Sequence, residues 1–182
     1  SFCHCLPNKW HLMSVMLSAS NCLDWICNIT NTSIKEALTN IEKYYSNQSS
    51  IMNSSYFLPY LTGERTPHNN PFIRGSFHSI KTNTDKTDMQ YAVIEGISFA
   101  ILDGVKSILK VNENFDKIYV VGGGSKSSFW IQFLSSLLNR KLRICDQSEF
   151  GAALGVARLA IYADKNIENK EKIIKKIKVK KE

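Results

Sequence analysis

No uninterrupted apolar run in these 182 residues approaches the roughly 18 that a membrane-spanning helix needs. The longest clean stretches, such as Ile118 to Val121, read as buried strands, so the chain reads as soluble and folded. The opening Ser1-Phe2-Cys3-His4-Cys5-Leu6 has no charged leader, apolar segment and small-residue cleavage site, which argues against a secretory signal. It looks instead like the middle of a strand, as if an upstream part preceded it, and a cytoplasmic protein is expected. No pair among the five cysteines (Cys3, Cys5, Cys22, Cys27 and Cys145) has C-x-x-C spacing, which argues against redox and zinc modules. Cys3 and Cys5 beside His4 and His11 invite a metal reading, but small buried thiols in a reducing compartment fit the composition better. The sequons at Asn28, Asn31, Asn47 and Asn53 then read as accidents of an Asn-rich chain.

Charge of one sign is not lacking, since the net charge is +7, but its location removes most of its meaning. Residues 164–182 hold eight lysines and four acids, giving +4 of that total. No aromatic side chain sits among those lysines to stack on a base, so a solvated Lys-rich tail is expected and not a nucleic-acid site.

What is present is an ordered series of periodic segments without internal repeats. Phe2 to Met16 reads as an extended or strand segment. Ser18 or Ser20 can cap a helix burying Cys22, Leu23, Ile26 and Cys27 and fading at Thr30; a second helix from Thr32 or Ser33 puts Ala37, Ile41 and Tyr44 on one face. Ser46 to Ser55 is a loop by composition, and Thr62 to Pro71, with two prolines and a glycine between aromatic flanks, is an ordered irregular loop. Phe77 to Ile80 reads as a short strand. A helix capped by Thr84 or Thr87 carries the strongest stripe: Met89, Val93, Ile97, Ala100 or Ile101, Val105 and Ile108. Then strand Lys117–Val121, helix Ser127–Asn139 with Trp130, Phe133, Leu134 and Leu137 inward, strand Leu142–Cys145 and helix Phe150–Tyr162 alternate, which predicts parallel strands and an α/β class.

The sharpest local signal is Gly122-Gly123-Gly124-Ser125-Lys126-Ser127-Ser128 between a strand and a helix. Glycines let the backbone turn tightly and approach a ligand, and the following helix offers unpaired N–H groups and a positive dipole end to an anion such as phosphate. Ser125, Ser127 and Ser128 add hydroxyls. A Walker A loop is absent, because Ser125 precedes Lys126-Ser127 where that motif requires glycine. The dinucleotide pattern G-x-G-x-x-G is missed by its third glycine, Ser127, although Asp146 stands 22 residues after Gly124 where a ribose-binding acid belongs. An NAD-type fragment is therefore the rival reading.

Five separated motifs carry a resemblance. Gly122 to Gln132 is similar to the ATP-binding loop and helix of the FGGY carbohydrate kinases. Trp10 to Ala19 with Cys22-Leu23-Asp24-Trp25, Phe57 to Asn69 continuing to Arg74-Gly75, Ala92 to Ala100, and Glu149 to Ala157 resemble the xylulokinase type within that family. The match runs from Cys3 to about Ala163. It implies a truncated actin-like ATPase (ribonuclease H-like) domain over residues 1–163, with a mostly parallel sheet and flanking helices, followed by a tail over 164–182. It further implies ATP with Mg2+ as cofactor, and phosphoryl transfer to a ketopentose, D-xylulose by the closest resemblance, with the sugar reached through an N-terminal half. Gly122, Gly123, Gly124, Ser125 and Ser127 are the expected nucleotide contacts, Gly123 and Ser127 foremost. Small residues from Gly151 to Ala157 are expected to seat the last helix close to the sheet. The family's catalytic aspartate, first phosphate loop and sugar contacts match no residue here, so the chain alone is expected to be inactive, and a non-catalytic gene remnant is the alternative. Asp24, Glu64, Asp88 and Glu95 read as capping or structural acids, not as a base. Ser79 stands where the family usually has glycine. No nucleic-acid or membrane partner is expected, and a homo-oligomer is left open.

Overall fold

The computed structural model describes residues 1–45, 55–111, 115, 117–146, 150–164 and 179–181. Asn47, Asn53, Glu149 and most of the Lys-rich tail lie outside the described residues, as does most of the Ser46–Ser55 loop. The chain divides into two compact units, Ser1–Asn114 and Phe115–Glu182.

The first unit contains β1 (Phe2–Cys3), β2 (Trp10–His11), α1 (Ser20–Ile29), α2 (Ile34–Tyr45), β3 (Tyr56–Leu58), β4 (Ser76–His78) and α3 (Lys86–Leu109). Its long helix α3 is the centre of the packing, and α1, α2 and β3 all lie against it. Between Gln90 and Ser98 every residue but Glu95 is buried, so this stretch faces protein nearly all round. Cys22, Leu23, Ile26 and Cys27 of α1 and Ala37 and Ile41 of α2 close the core as their spacing predicts. Each fully buried isoleucine contributes about 2–3 kcal/mol by burial alone. Tyr44 departs from the expected stripe and is 48% exposed, at the last turn of α2 where the core ends.

Two caps differ from expectation. The helix α3 is capped by Asp85, not by Thr84 or Thr87: its carboxylate accepts from the N–H groups of Thr87 and Asp88, and Asp88 returns a bond to the Asp85 N–H. An acid at both cap and third position satisfies two orphan donors reciprocally and favours the positive end of the helix dipole. Helix α1 starts after Ala19 with no side-chain cap, because the Ser18 hydroxyl is occupied by Thr62, 2.7 Å from its Oγ1.

The opening segment is not one strand. Phe2–Cys3 and Trp10–His11 pair with each other antiparallel. The chain reverses between them past Pro7 and Asn8, the latter in the left-handed region at φ 57°. Beyond it, residues 12–17 are held by the loop that follows β3. Thr66 exchanges bonds with Val15, its Oγ1 accepting the Val15 N–H and its own N–H reaching the Val15 carbonyl. The buried Glu64, 3% exposed, accepts from the N–H groups of Leu17 at 3.0 Å and Arg65 at 2.7 Å through Oε1. Strand β3 pairs antiparallel with β4, and Phe57, Phe77 and Trp25 stack ring on ring beneath them. Just past β4, Ser79 sits at φ 57°, so the position where glycine was expected does need a left-handed backbone.

The second unit contains β5 (Ile118–Val120), a single 3-10 turn (Gly123–Lys126), α4 (Ser128–Leu138), β6 (Leu142–Cys145), α5 (Gly151–Ala163) and β7 (Val179–Lys181). Strands β5 and β6 are parallel, as the alternation of strand and helix predicts, with Ile118, Tyr119 and Val120 opposite Leu142, Arg143 and Ile144. They form the one parallel pair of strands among the described residues, the other three pairs being antiparallel, so the sheets are not mostly parallel as expected. Trp130 and Leu134 of α4 are buried, and α4 ends at Asn139 in the left-handed conformation that asparagine tolerates. Three residues of the tail, Val179–Lys181, add to β6 as an antiparallel strand. Helix α5 approaches its neighbours less closely than its small residues suggest. Only the site of Gly151 is tight, where a Cβ would meet Val121 at 3.3 Å; Gly155 has nothing within 4 Å, and no residue of α5 is buried. Among the described residues no helix is long and apolar enough to cross a membrane.

Gly96 is the tightest point of the first unit, since a Cβ there would overlap the Phe57 carbonyl oxygen of β3. Alanine is favoured over glycine in helices by about 1 kcal/mol, yet the overlap should outweigh this, and Gly96→Ala is expected to lower stability by about 2 kcal/mol. Gly155→Ala, with open space around it, should instead raise stability by about 0.5–1 kcal/mol. Urea-unfolding midpoints of the two variants check both signs.

Glu95 gives a second test. Burial on α3 pushes its carboxyl up from 4.5 to about 7. Folded and unfolded chains both hold the proton below pH 4.5, whereas above it the unfolded chain ionises first, so this group's contribution to stability is lost as the pH rises through about 7. Glu95→Gln should match the wild type near pH 4.5 and exceed it at pH 8. Parallel stability–pH curves for the two proteins would show that the carboxyl is well solvated in the folded state.

Candidate phosphate-binding loop

Strand β5 delivers the backbone to a reversal at Gly122, whose φ of 96° and ψ of 179° lie where side chains with a Cβ are strained. Residues Gly123–Lys126 then make one 3-10 turn, and Ser127, extended at φ −87° and ψ 108°, caps α4 by accepting the Trp130 N–H on its Oγ at 3.2 Å. The eleven-residue α4 aims its N-terminus and its partial positive charge at this loop.

The five residues expected to contact a nucleotide are brought together here, but they do different things. Ser125 is 6% exposed, and its hydroxyl donates to the Gly122 carbonyl at 2.7 Å, so it braces the loop from inside. Gly124 makes room for Trp130, whose ring would lie 3.3 Å from a Cβ at that position. Gly122 and Gly123 have nothing within 4 Å of the place a Cβ would occupy. Their backbone is therefore the approachable part of the loop. Ser127 uses an oxygen lone pair as cap and keeps a hydroxyl proton to donate.

From the end of this loop a cleft of about 590 Å³ runs along α4 past Ser128, Ile131, Gln132 and Ser135, with Leu142 and Ile144 of β6 and Lys141 as its other wall. That volume and the mixed apolar and polar lining suit a nucleoside-sized ligand. Sequence reasoning missed this cleft. Its signal was present as polar residues at 128, 132, 135 and 136 on a helix whose other side is apolar.

Three of the four acids set aside as bases hold structural posts or lie exposed, and the fourth, Glu95, is half-buried on α3. Asp88 is half of the α3 cap and Glu64 is bound to backbone amides, while Asp24 is exposed on α1. Asp146 follows β6 in an exposed turn. Among the described residues no group of three His, Cys, Asp or Glu is arranged to hold a metal ion.

The sequence profile of the C-terminal domain of the FGGY family of carbohydrate kinases matches residues 3–163. The chain belongs to this family. It is 39% identical over 160 residues to the xylulose kinase of Escherichia coli K12, covering 88% of this chain and 32% of that protein. The solved structure of a xyloylose kinase from Brucella ovis superposes with a TM-score of 0.83 at 33% identity, over 99% of this chain and 36% of that one. Ligand-bound xylulose kinase from Lactobacillus acidophilus gives a TM-score of 0.68 at 25% identity, over 89% of this chain and 32% of that one. The chain thus spans about a third of the length of the relatives it matches. Membership in a kinase family, with its actin-like ATPase fold, displaces the dinucleotide-binding reading of the glycine loop.

The division of labour among the two serines can be tested by hydrogen exchange. Ser125→Ala should speed exchange across Gly122–Lys126 while α4 stays protected. Ser127→Ala should fray the first turn of α4 and lower stability by about 1 kcal/mol. The same exchange pattern in both variants would contradict the assignment.

Proposed function

We propose that this chain is the nucleotide-binding part of an ATP-dependent sugar kinase acting on D-xylulose to give xylulose 5-phosphate, in the cytoplasm. The sugar assignment is supported by relatives named xylulose kinase at 35–39% identity. The observation that carries the nucleotide role is the bare backbone at Gly122 and Gly123, open on the side where a Cβ would stand and leading into the N-terminus of α4. A phosphate can approach those amides without steric cost, and the helix dipole favours its charge. Residues 1–163 form the kinase part in this reading, and 164–182 a Lys-rich appendage.

When bound, Mg-ATP supplies the phosphoryl group and the cation that offsets its charge. Gly122 and Gly123 would admit the phosphates, Ser127 would donate a hydroxyl proton to them, and the cleft along α4 would take the nucleoside. Gly124 and Ser125 act indirectly, by seating Trp130 and bracing the turn. Magnesium is assigned to no residue of this chain, in keeping with its habit of binding through phosphate oxygens and water. We place the base that accepts the sugar hydroxyl's proton, and the sugar contacts, outside these 182 residues.

Titration with Mg-ATP, followed by backbone amide shifts, should perturb residues 122–128 and the cleft-facing side of α4. With part of the phosphate cradle elsewhere, the affinity is expected to be no better than high micromolar, roughly −5 kcal/mol. The chain alone should form no xylulose 5-phosphate in a coupled assay. Shifts that avoid the loop, tighter binding of NAD than of ATP, or turnover by the chain alone would each overturn the assignment.

A further inference from the structure

The loop from Tyr60 to Arg74 walls a second cleft, of about 470 Å³, with Leu58, Tyr60, His68, Asn70, Ile73 and Arg74 as its lining. It lies wholly in the first unit and takes no part in the kinase reading above. The hydrogen bonds of its wall are unevenly spent. The Arg74 Nη1 donates to the carbonyls of Pro71 at 2.7 Å and Ile73 at 2.8 Å, which fixes the guanidinium and uses both acceptors. Main-chain N–H and C=O of Asn70 are exchanged with Glu64, and its Oδ1 accepts the Phe72 N–H at 2.9 Å. Tyr60 and His68 are bonded to one another, hydroxyl to Nε2, at 2.9 Å, with their rings edge to face.

After this accounting the wall retains donors. They are Nε and Nη2 of Arg74, Nδ2 of Asn70 and, with the Tyr60 hydroxyl donating to Nε2, the Nδ1–H of His68, none of which has a hydrogen bond to another group among the described residues. The acceptors of Asn70 and of the Pro71 and Ile73 carbonyls are each already engaged once. A cation would need acceptors here, whereas an oxyanion, which only accepts, uses every one of these donors. Arginine adds a permanent charge and a planar fork suited to phosphate.

We propose that the cleft formed by Tyr60, His68, Asn70 and Arg74 binds a small phosphate-type oxyanion. The residues are held in place before any ligand arrives, because Glu64 and Asn70 bridge the loop's base and Arg74 is tied to its own turn. Burial and the nearby acids Asp103 and Glu64 push the Tyr60 phenol up, which keeps it protonated and donating to His68 Nε2. Those same two acids oppose an anion, so binding should be weak, in the millimolar range.

Inorganic phosphate titrated into the 182-residue chain at constant ionic strength, with chloride as the control, tests this. Saturable shifts are expected at the His68 ring, the Arg74 Nε and the Asn70 side-chain amide. Arg74→Gln should weaken binding by about tenfold, in keeping with loss of a charge-assisted fork. Because Arg74 also ties its turn, His68→Gln is the companion variant: it leaves that tie intact and should weaken binding about threefold, the effect of losing one hydrogen bond. Shifts no larger than those from chloride, or undiminished affinity in both variants, would overturn the proposal. So would phosphate that perturbs only residues 122–128, and that result would leave the kinase reading standing.

Discussion

Helix α3 crosses β3 so closely at Gly96 that a carbonyl of one element fills the space a side chain of the other would need. The first unit depends on this approach. With the backbones in contact there, Phe57 turns its ring down onto Trp25 and Phe77, which ties β3 and β4 to α1. Near the other end of the helix Gly104 serves a similar purpose, because a Cβ there would lie 2.5 Å from the Ser14 hydroxyl oxygen. Two glycines in one long helix lose about 2 kcal/mol of intrinsic helix propensity together. The loss is offset by the burial they permit, since Gly96 lies within the enclosed stretch from Gln90 to Ser98.

The buried carboxylate of Glu64 plays a comparable role for the irregular parts. Residues 12–17 and 60–70 have few strand partners, and such segments must satisfy their amides some other way. One carboxylate oxygen takes two of those amides, and the Ser18 and Thr66 hydroxyls take those of Thr62 and Val15. Both candidate ligand loops follow the same rule. Each is shaped by hydrogen bonds among its own residues, Ser125 to Gly122 in one and Arg74 to Pro71 and Ile73 in the other.

Periodicity was the reliable guide to helices and to the β5–α4–β6–α5 alternation, because a buried stripe leaves the same mark in any sequence. Short elements left no such mark. A strand of two residues, as at Phe2–Cys3, has no period to detect, and the hairpin depends on where Pro7 and Asn8 turn the chain. The α3 cap was misplaced because Thr84, Asp85 and Thr87 are all competent caps; only the reciprocal bond from Asp88 distinguishes them. The glycine loop was legible as a group, but its internal roles were not. Whether a serine faces a ligand or braces a turn is decided by burial and φ, which the residue type does not encode. Likewise the Gly and Ala content of α5 suggested a close fit along its whole first half, and only Gly151 shows one.

The strand Val179–Lys181 places Lys180 at the rim of its sheet, outermost in the order β5–β6–β7. A sheet's last strand shows unpaired amides and carbonyls that any passing strand can extend, and lysine on that strand discourages it by requiring each newcomer to desolvate a charge. Without β7 the rim would be β6, whose Leu142 and Ile144 would make an adhesive border. A lysine on β7 thus has a use within a single molecule: it makes that edge of the sheet a poor template for another copy.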